Sequence, residues 1–258
     1  MLLGLVQGLC EFLPVSSSGH LVLLQNVFGI SEGALFFDTM LHVGTLGAVC
    51  AVYWRQIWEM LRHPFQRKVG LLLASTLVTT AIALLFRDFF ESAYEGALLG
   101  VGFLITTVVL FLTEKIGQGS GRIRNLPYKS AALVGLMQGI AILPGISRSG
   151  STIAGALYTG LDRKEASEYS FLLSIPAILG SVVLQIPDVL QEHAEIPWIP
   201  VLLGMVIAGV SGFFAIRFML RVILKHKLKV FAYYTLALGI LVLLDQFVFH
   251  LFFGNPLA

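Results

Sequence analysis

A polytopic, all-α membrane protein is the fold class this sequence predicts, on three observations. Hydrophobic residues make up 57% of the 258 and charged residues 12%, with a mean hydropathy of +0.86; soluble domains carry about twice that charge. Stretches near the roughly 20 apolar residues that cross a bilayer recur along the chain. Two further apolar stretches are cut by Pro-, Gly- and Ser-containing turns, and these two match each other in sequence. The full expectation is six transmembrane helices plus two re-entrant helical hairpins in an inverted-topology repeat. Residues 1–258 form one integral-membrane domain, with 1–112 the first repeat and 131–253 the second.

The first interrupted stretch covers residues 1–28 and breaks at Pro14-Val15-Ser16-Ser17-Ser18-Gly19-His20. Neither half is long enough to span, which predicts a re-entrant hairpin. Spans are expected near 36–54, 69–86, 96–112, 169–186, 201–218 and 231–253, with the second interrupted stretch at 130–160. Cations place the loops. Arg55, Arg62, Arg67 and Lys68 share one connection, and Lys115, Arg122, Arg124 and Lys129 another. Arg163 and Lys164 follow the second hairpin, while Arg217, Arg221, Lys225, Lys227 and Lys229 cluster near the last loop. By the positive-inside rule these loops are cytoplasmic. Connections 87–95 and 187–200 hold Asp88, Glu91, Glu95, Asp188, Glu192 and Glu195 against the single cation Arg87, and face out. Parity then brings the first hairpin in from outside and the second from inside. Arg148 lies in none of these loops, and a cation at membrane depth is costly and usually functional.

Its context is Pro144-Gly145-Ile146-Ser147-Arg148-Ser149-Gly150-Ser151-Thr152. Pro144 and Gly145 stop a helix, and Ser149 is the expected N-cap of the next one. A helix N-terminus with unpaired amides beside a guanidinium suits a phosphate. The predicted phosphate-binding set is Arg148, Ser147, Ser149, Gly150, Ser151 and Thr152. A shift of 131 residues lays Gly4, Leu5, Gln7, Gly8, Ser16, Ser18 and Gly19 on identical residues of this stretch. The chemistry differs between the two: where the second hairpin has Ile142, Arg148 and Ser151, the first has Glu11, Ser17 and His20. Gln7 and Glu11, four apart, share a helix face. Asp38 and His42 also share one and could support the site or simply fill a buried hydrogen bond. Asp245 has no evident partner, and Glu168 reads as a helix-dipole residue.

Other chemistries find no support. A net charge of +2 and the absence of basic, aromatic-interleaved runs argue against nucleic acid. Cys10 and Cys50 read as small core residues, and neither a Walker loop nor a paired Cys/His metal motif occurs. No removable signal is expected at the N-terminus.

The run Gln7-Gly8-Leu9-Cys10-Glu11-Phe12-Leu13-Pro14-Val15-Ser16-Ser17-Ser18-Gly19-His20, the Pro144–Thr152 motif and the weaker run from Glu165 to Leu173 resemble the bacterial undecaprenyl-diphosphate phosphatase family, known also for bacitracin resistance. The resemblance implies hydrolysis of undecaprenyl diphosphate to the monophosphate and inorganic phosphate, recycling the lipid carrier of cell-wall synthesis. It implies a polyprenyl diphosphate lipid as partner, the bacterial cytoplasmic (inner) membrane as location and a cavity open to the outer side. It also implies a divalent cation, magnesium or calcium, bound with the diphosphate; Glu11 and Gln7 are its expected ligands. Ser17 is the expected nucleophile, with His20 or Glu11 as base, Ser16 in support and Arg148 on the phosphoryl oxygens. Attack by His20 itself stays open, as does a homodimer. A transporter or flippase of a phosphorylated lipid or anion is the alternative that the repeat suggests.

Overall fold

A computed structural model describes residues 1–30, 34–116, 119–191, 198–225 and 228–253. Among them the chain is helical, without a strand: α1 (Leu2–Phe12), α2 (Ser17–Phe28), α3 (Ala34–Arg62), α4 (Arg67–Leu85), α5 (Arg87–Ala93), α6 (Leu99–Lys115), α7 (Tyr128–Ile140), α8 (Arg148–Tyr158), α9 (Arg163–Gln191), α10 (Trp198–Leu224) and α11 (Lys229–Leu244). Among the described residues, five helices are long and apolar enough to cross a membrane: Phe36–Arg62, Arg67–Leu85, Arg163–Leu184, Trp198–Leu224 and Lys229–Phe249. The expected span at 96–112 corresponds to α6, which is apolar but has 17 residues. Glu192, Glu195 and Lys227, read above as loop charges, lie outside the described residues.

The short helices α1, α2, α7 and α8 have 11, 12, 13 and 11 residues, so each is about 16–20 Å long against a hydrocarbon core of about 30 Å. Their breaks have local causes. Leu13, held extended by Pro14 (φ −77°, ψ 145°), ends α1. Gly145, at φ 88°, turns the chain between α7 and α8 against the α6 backbone, where a Cβ would stand 2.5 Å from the Leu99 carbonyl oxygen. Restarting is the work of serines 131 residues apart. Ser16 Oγ accepts from the Gly19 amide at 3.2 Å, and Ser147 Oγ from the Gly150 amide at 3.1 Å. The N-cap of α8 is therefore Ser147 and not Ser149, because Arg148 already has helical geometry. The shared Ser-x-Ser-Gly element is a capping device.

Glycines also set the partners of the short helices. A Cβ on Gly4 would lie 2.6 Å from the Gly204 carbonyl oxygen, and one on Gly8 would lie 1.9 Å from Ser211 Oγ, so α1 lies backbone-close on α10. At the equivalent positions, a Cβ on Gly135 would lie 2.3 Å from Ser75 O and one on Gly139 would meet the Ile82 side chain, which docks α7 on α4. Both are pairs of small residues four apart, the spacing that lets apolar helices approach closely.

One end of the bundle gathers the cationic connections. Lys68 pairs with Glu168, Arg67 Nη2 donates to Leu126 O at 2.8 Å, and the Ile123 amide donates to Glu165 at 2.9 Å. Gly121 bridges to Leu161, and the Leu228 amide reaches Glu114 at 3.2 Å. Glu168 thus serves an ion pair to α4, one turn beyond the position where it would complement the helix dipole. At the other end, Gln246 Nε2 donates to Gly96 O at 2.7 Å, beside α5, a short helix within the acidic connection 87–95. Here the last span stops before residue 253. Asp245 does have partners: its carboxylate accepts from the amides of Leu251, Phe252 and Phe253 at 3.1, 3.1 and 2.9 Å, closing the chain after a π-turn.

Candidate active site

The two helix breaks face each other. A Cβ on Gly19 would fall 2.9 Å from Gly145 Cα, one on Gly150 3.3 Å from Pro14 Cβ, and Ser149 Oγ donates to Leu13 O at 3.1 Å. This contact sets the last turn of α1 against the first residue of α8 and leads to the central feature, the buried carboxylate of Glu11. Its Oε1 pairs with Arg148 Nη2. Its Oε2 accepts from Ser17 Oγ at 2.5 Å and from Gln7 Nε2 at 3.0 Å, and His42 Nε2 stands 3.6 Å away. Ser17 and Arg148 occupy equivalent positions of the two hairpins, 131 residues apart, and both converge on one carboxylate.

Glu11, Ser17, His42 and Arg148 line a cavity of about 590 Å3, together with Gln138 and with Thr76, Thr79 and Thr80 of α4. Residues 176–181, 183 and 184 of α9 make one wall largely aliphatic. A second cavity of about 620 Å3 shares Ser18, His42, Tyr94 and Ile142 with the first and extends past Asp38 to Arg87 and Glu91 of α5. Together they give a charged, hydroxyl-bearing pocket with an apolar flank and an outlet beside α5.

Of the sequence-predicted residues, Gln7, Glu11, Ser17 and Arg148 are brought together. Ser147, Ser149, Gly150, Ser151 and Thr152 are buried, but none of them lines either cavity. Ser147 Oγ caps Gly150, the Ser151 amide bonds Ser147 O at 2.9 Å, and the Thr152 hydroxyl shares a 2.6 Å hydrogen bond with Ser170. Arg148 alone of the six reaches the cavity. His20 does not pair with Ser17. Its Nδ1 bonds Ser16 O and its Nε2 bonds the Tyr234 hydroxyl, each at 2.7 Å, and it lines neither cavity.

Sequence reasoning underweighted His42, whose Nδ1 bonds the Asp38 carbonyl oxygen at 2.7 Å and so turns Nε2 toward Glu11. It gave no role to Gln138, although the repeat marks that residue as the counterpart of Gln7. Nothing in the sequence singles out Tyr234. Asp38 accepts from Gln25 Nε2 at 2.9 Å.

Cation binding can be tested on the donor set. Among the described residues, no group of three or more His, Cys, Asp or Glu could hold a metal. Gln7 Oε1, however, is buried with no hydrogen-bond partner, four residues from the Glu11 carboxylate. Hard oxygens of this kind fit a cation that takes most of its ligands from phosphates and water.

The chain is similar to known proteins over nearly its whole length. The chain is 45% identical over 250 residues to the undecaprenyl-diphosphatase of Carboxydothermus hydrogenoformans, covering 95% of this chain and 96% of that protein. It is 44% identical over 248 residues to undecaprenyl-diphosphatase 3 of Bacillus cereus, with 95% and 96% covered, and 39% identical over 251 residues to the undecaprenyl-diphosphatase of Halothermothrix orenii, with 96% and 97% covered. The family model described as bacitracin resistance protein BacA matches residues 1–241, and the chain belongs to that family.

Proposed function

We propose that this protein hydrolyses undecaprenyl diphosphate to undecaprenyl phosphate and inorganic phosphate. The observation that carries the reading is one buried carboxylate holding a serine hydroxyl on one oxygen and a guanidinium on the other, at the wall of a part-aliphatic cavity. Ser17 Oγ attacks the terminal phosphorus as its proton passes to Glu11 Oε2. The bond from that phosphorus to the bridging oxygen breaks, and the lipid monophosphate leaves as the anion. Water then attacks the phosphoserine, giving one proton back to Ser17, and Glu11 returns its proton to the medium. Arg148 turns its fork from Glu11 to the phosphoryl oxygens as charge develops there, which also frees Glu11 to act as base. Gln7 holds Glu11 in orientation. A divalent cation arriving with the diphosphate, magnesium or calcium, would be held by Glu11 and the free Gln7 carbonyl oxygen and would neutralise phosphate charge. The aliphatic wall of α9 suits the prenyl chain.

The same reading extends to topology. α6 is also a span, bringing the total to six, and α1–α2 and α7–α8 are re-entrant hairpins entering from opposite faces of the bacterial inner membrane. Two observations support this inverted repeat. α7–α8 both begins and ends among the cationic connections, and Gly4, near the start of α1, lies against the start of α10 at the opposite end. With the cationic end inside, the outlet beside α5 faces outward.

Phosphate release from polyprenyl diphosphate by the purified protein in detergent tests the activity. Chelator should abolish release and added magnesium or calcium restore it; undiminished release in chelator would remove the cation. Ser17→Ala should lose turnover and the trapped phosphoenzyme, and wild-type turnover by that variant would overturn Ser17 attack.

A further inference from the structure

The two hairpins cap their second helices alike, yet differ in the backbone of the capping serine. Ser147 has an ordinary extended conformation, φ −74° and ψ 115°. Ser16 sits at φ 69° and ψ 96°, and among the described residues only one other non-glycine, His250, has positive φ. Such a conformation is unfavourable for a residue with a side chain and persists only where surrounding contacts enforce it. The second loop takes its positive φ at Gly145, where the first has Pro14, whose ring forbids it, so the first loop takes it at Ser16. One contact that only the first hairpin has is made there by His20, whose Nδ1–H donates to Ser16 O at 2.7 Å; the second hairpin has Ser151 at that position. His20 is itself fixed. The Tyr234 hydroxyl of α11 donates to its Nε2 at 2.7 Å, the two rings are 9° from parallel, and Phe103 meets it edge-on at 5.6 Å.

We infer that Tyr234 is a positioning residue: through His20 it holds Ser16 in the backbone conformation that aims Ser17 at Glu11. The inference rests on the proposed attack by Ser17. Donation by Tyr234 to Nε2 selects the tautomer with its proton on Nδ1, the only neutral form that can bond a carbonyl oxygen. On this account His20 exchanges no proton with substrate.

The test compares Tyr234→Phe, His20→Asn and His20→Ala for phosphate release from polyprenyl diphosphate, with kcat and KM separated and folding checked by thermal unfolding. Tyr234→Phe removes one hydroxyl and should lower kcat about three- to tenfold with KM within about twofold. Asparagine can donate to the carbonyl oxygen four residues back, as Asn26 already does to Val22 O at 2.9 Å on the same helix, but it cannot act as a base. His20→Asn should therefore stay within about threefold of wild type while His20→Ala falls well over tenfold. An Asn variant as inactive as the Ala variant, or Tyr234→Phe with unchanged kcat, overturns the inference. An inactive wild-type protein would instead overturn the proposed function.

Discussion

Replacing Arg148 by alanine separates what the guanidinium does for the fold from what it does for the reaction. In the resting protein it is the countercharge of a nearly inaccessible carboxylate: the Glu11 side chain is 4% exposed and that of Arg148 18%. Breaking a buried pair by removing one member costs about 3–5 kcal/mol. Ser17 and Gln7 still donate to Glu11 in the variant, which brings the expected loss down to about 2–3 kcal/mol, a fall of about 5–10 °C in Tm for a chain of this size. Turnover should fall further, by about 10²–10³, since a donor aimed at developing phosphoryl charge is removed. Phosphate release and thermal unfolding, measured in the same detergent, read the two effects. The double variant Glu11→Gln/Arg148→Met, which strands no charge, should recover the stability and none of the activity. An Arg148→Ala protein that hydrolyses within a few-fold of wild type would refute the assignment.

Three further outcomes follow from individual contacts. Gly8→Val should destabilise by at least about 3 kcal/mol, because its Cβ would overlap Ser211 Oγ and Ala208 O; Gly180→Ala, with nothing within 4 Å of the new Cβ, should leave Tm unchanged. His42→Ala should lower kcat several-fold, about 1 kcal/mol, by removing the imidazole beside Glu11. Wild-type kinetics in that variant would make His42 a bystander. Asp245→Ala should cost about 2 kcal/mol in thermal unfolding while leaving kcat unchanged, since it uncaps three amides and neither it nor their residues line either cavity.

What could be read in advance divides along physical lines. Glu11 and Arg148 were legible because burying charge in an apolar segment is costly, so each needed a partner, and their halves of the repeat lead to that partner. The recurrence of Ser16, Ser18 and Gly19 at 147, 149 and 150 was visible as a pattern. Its meaning was not: the first helical residue could be settled only by the backbone, which makes Ser147 the cap and spends Gly150 and Ser151 inside the helix. The pairing of Ser17 with His20 failed for a related reason. Three residues apart fits one helix face, but the imidazole is turned back to Ser16 O and outward to Tyr234. Contacts such as 42 with 11, or 234 with 20, depend on helix packing across the chain and leave no local signal.

The division of charge between the halves has a physical logic that a last experiment can expose. Two copies of one hairpin would bring two like groups together, two carboxylates or two guanidiniums, each uncompensated at low dielectric. Glu11 facing Arg148 is close to neutral overall, and the pair exists only when both halves have folded onto each other. The exchange Glu11→Arg/Arg148→Glu tests whether neutrality alone suffices. It should retain more stability than either single substitution, because an ion pair can form again across the same contact. It should show no hydrolysis, because Ser17, held by Glu11 Oε2 at 2.5 Å in the native order, would then face a guanidinium that can take no proton from it. Activity in the exchanged protein would mean that the carboxylate is present for charge balance and that the proton leaves Ser17 by another route.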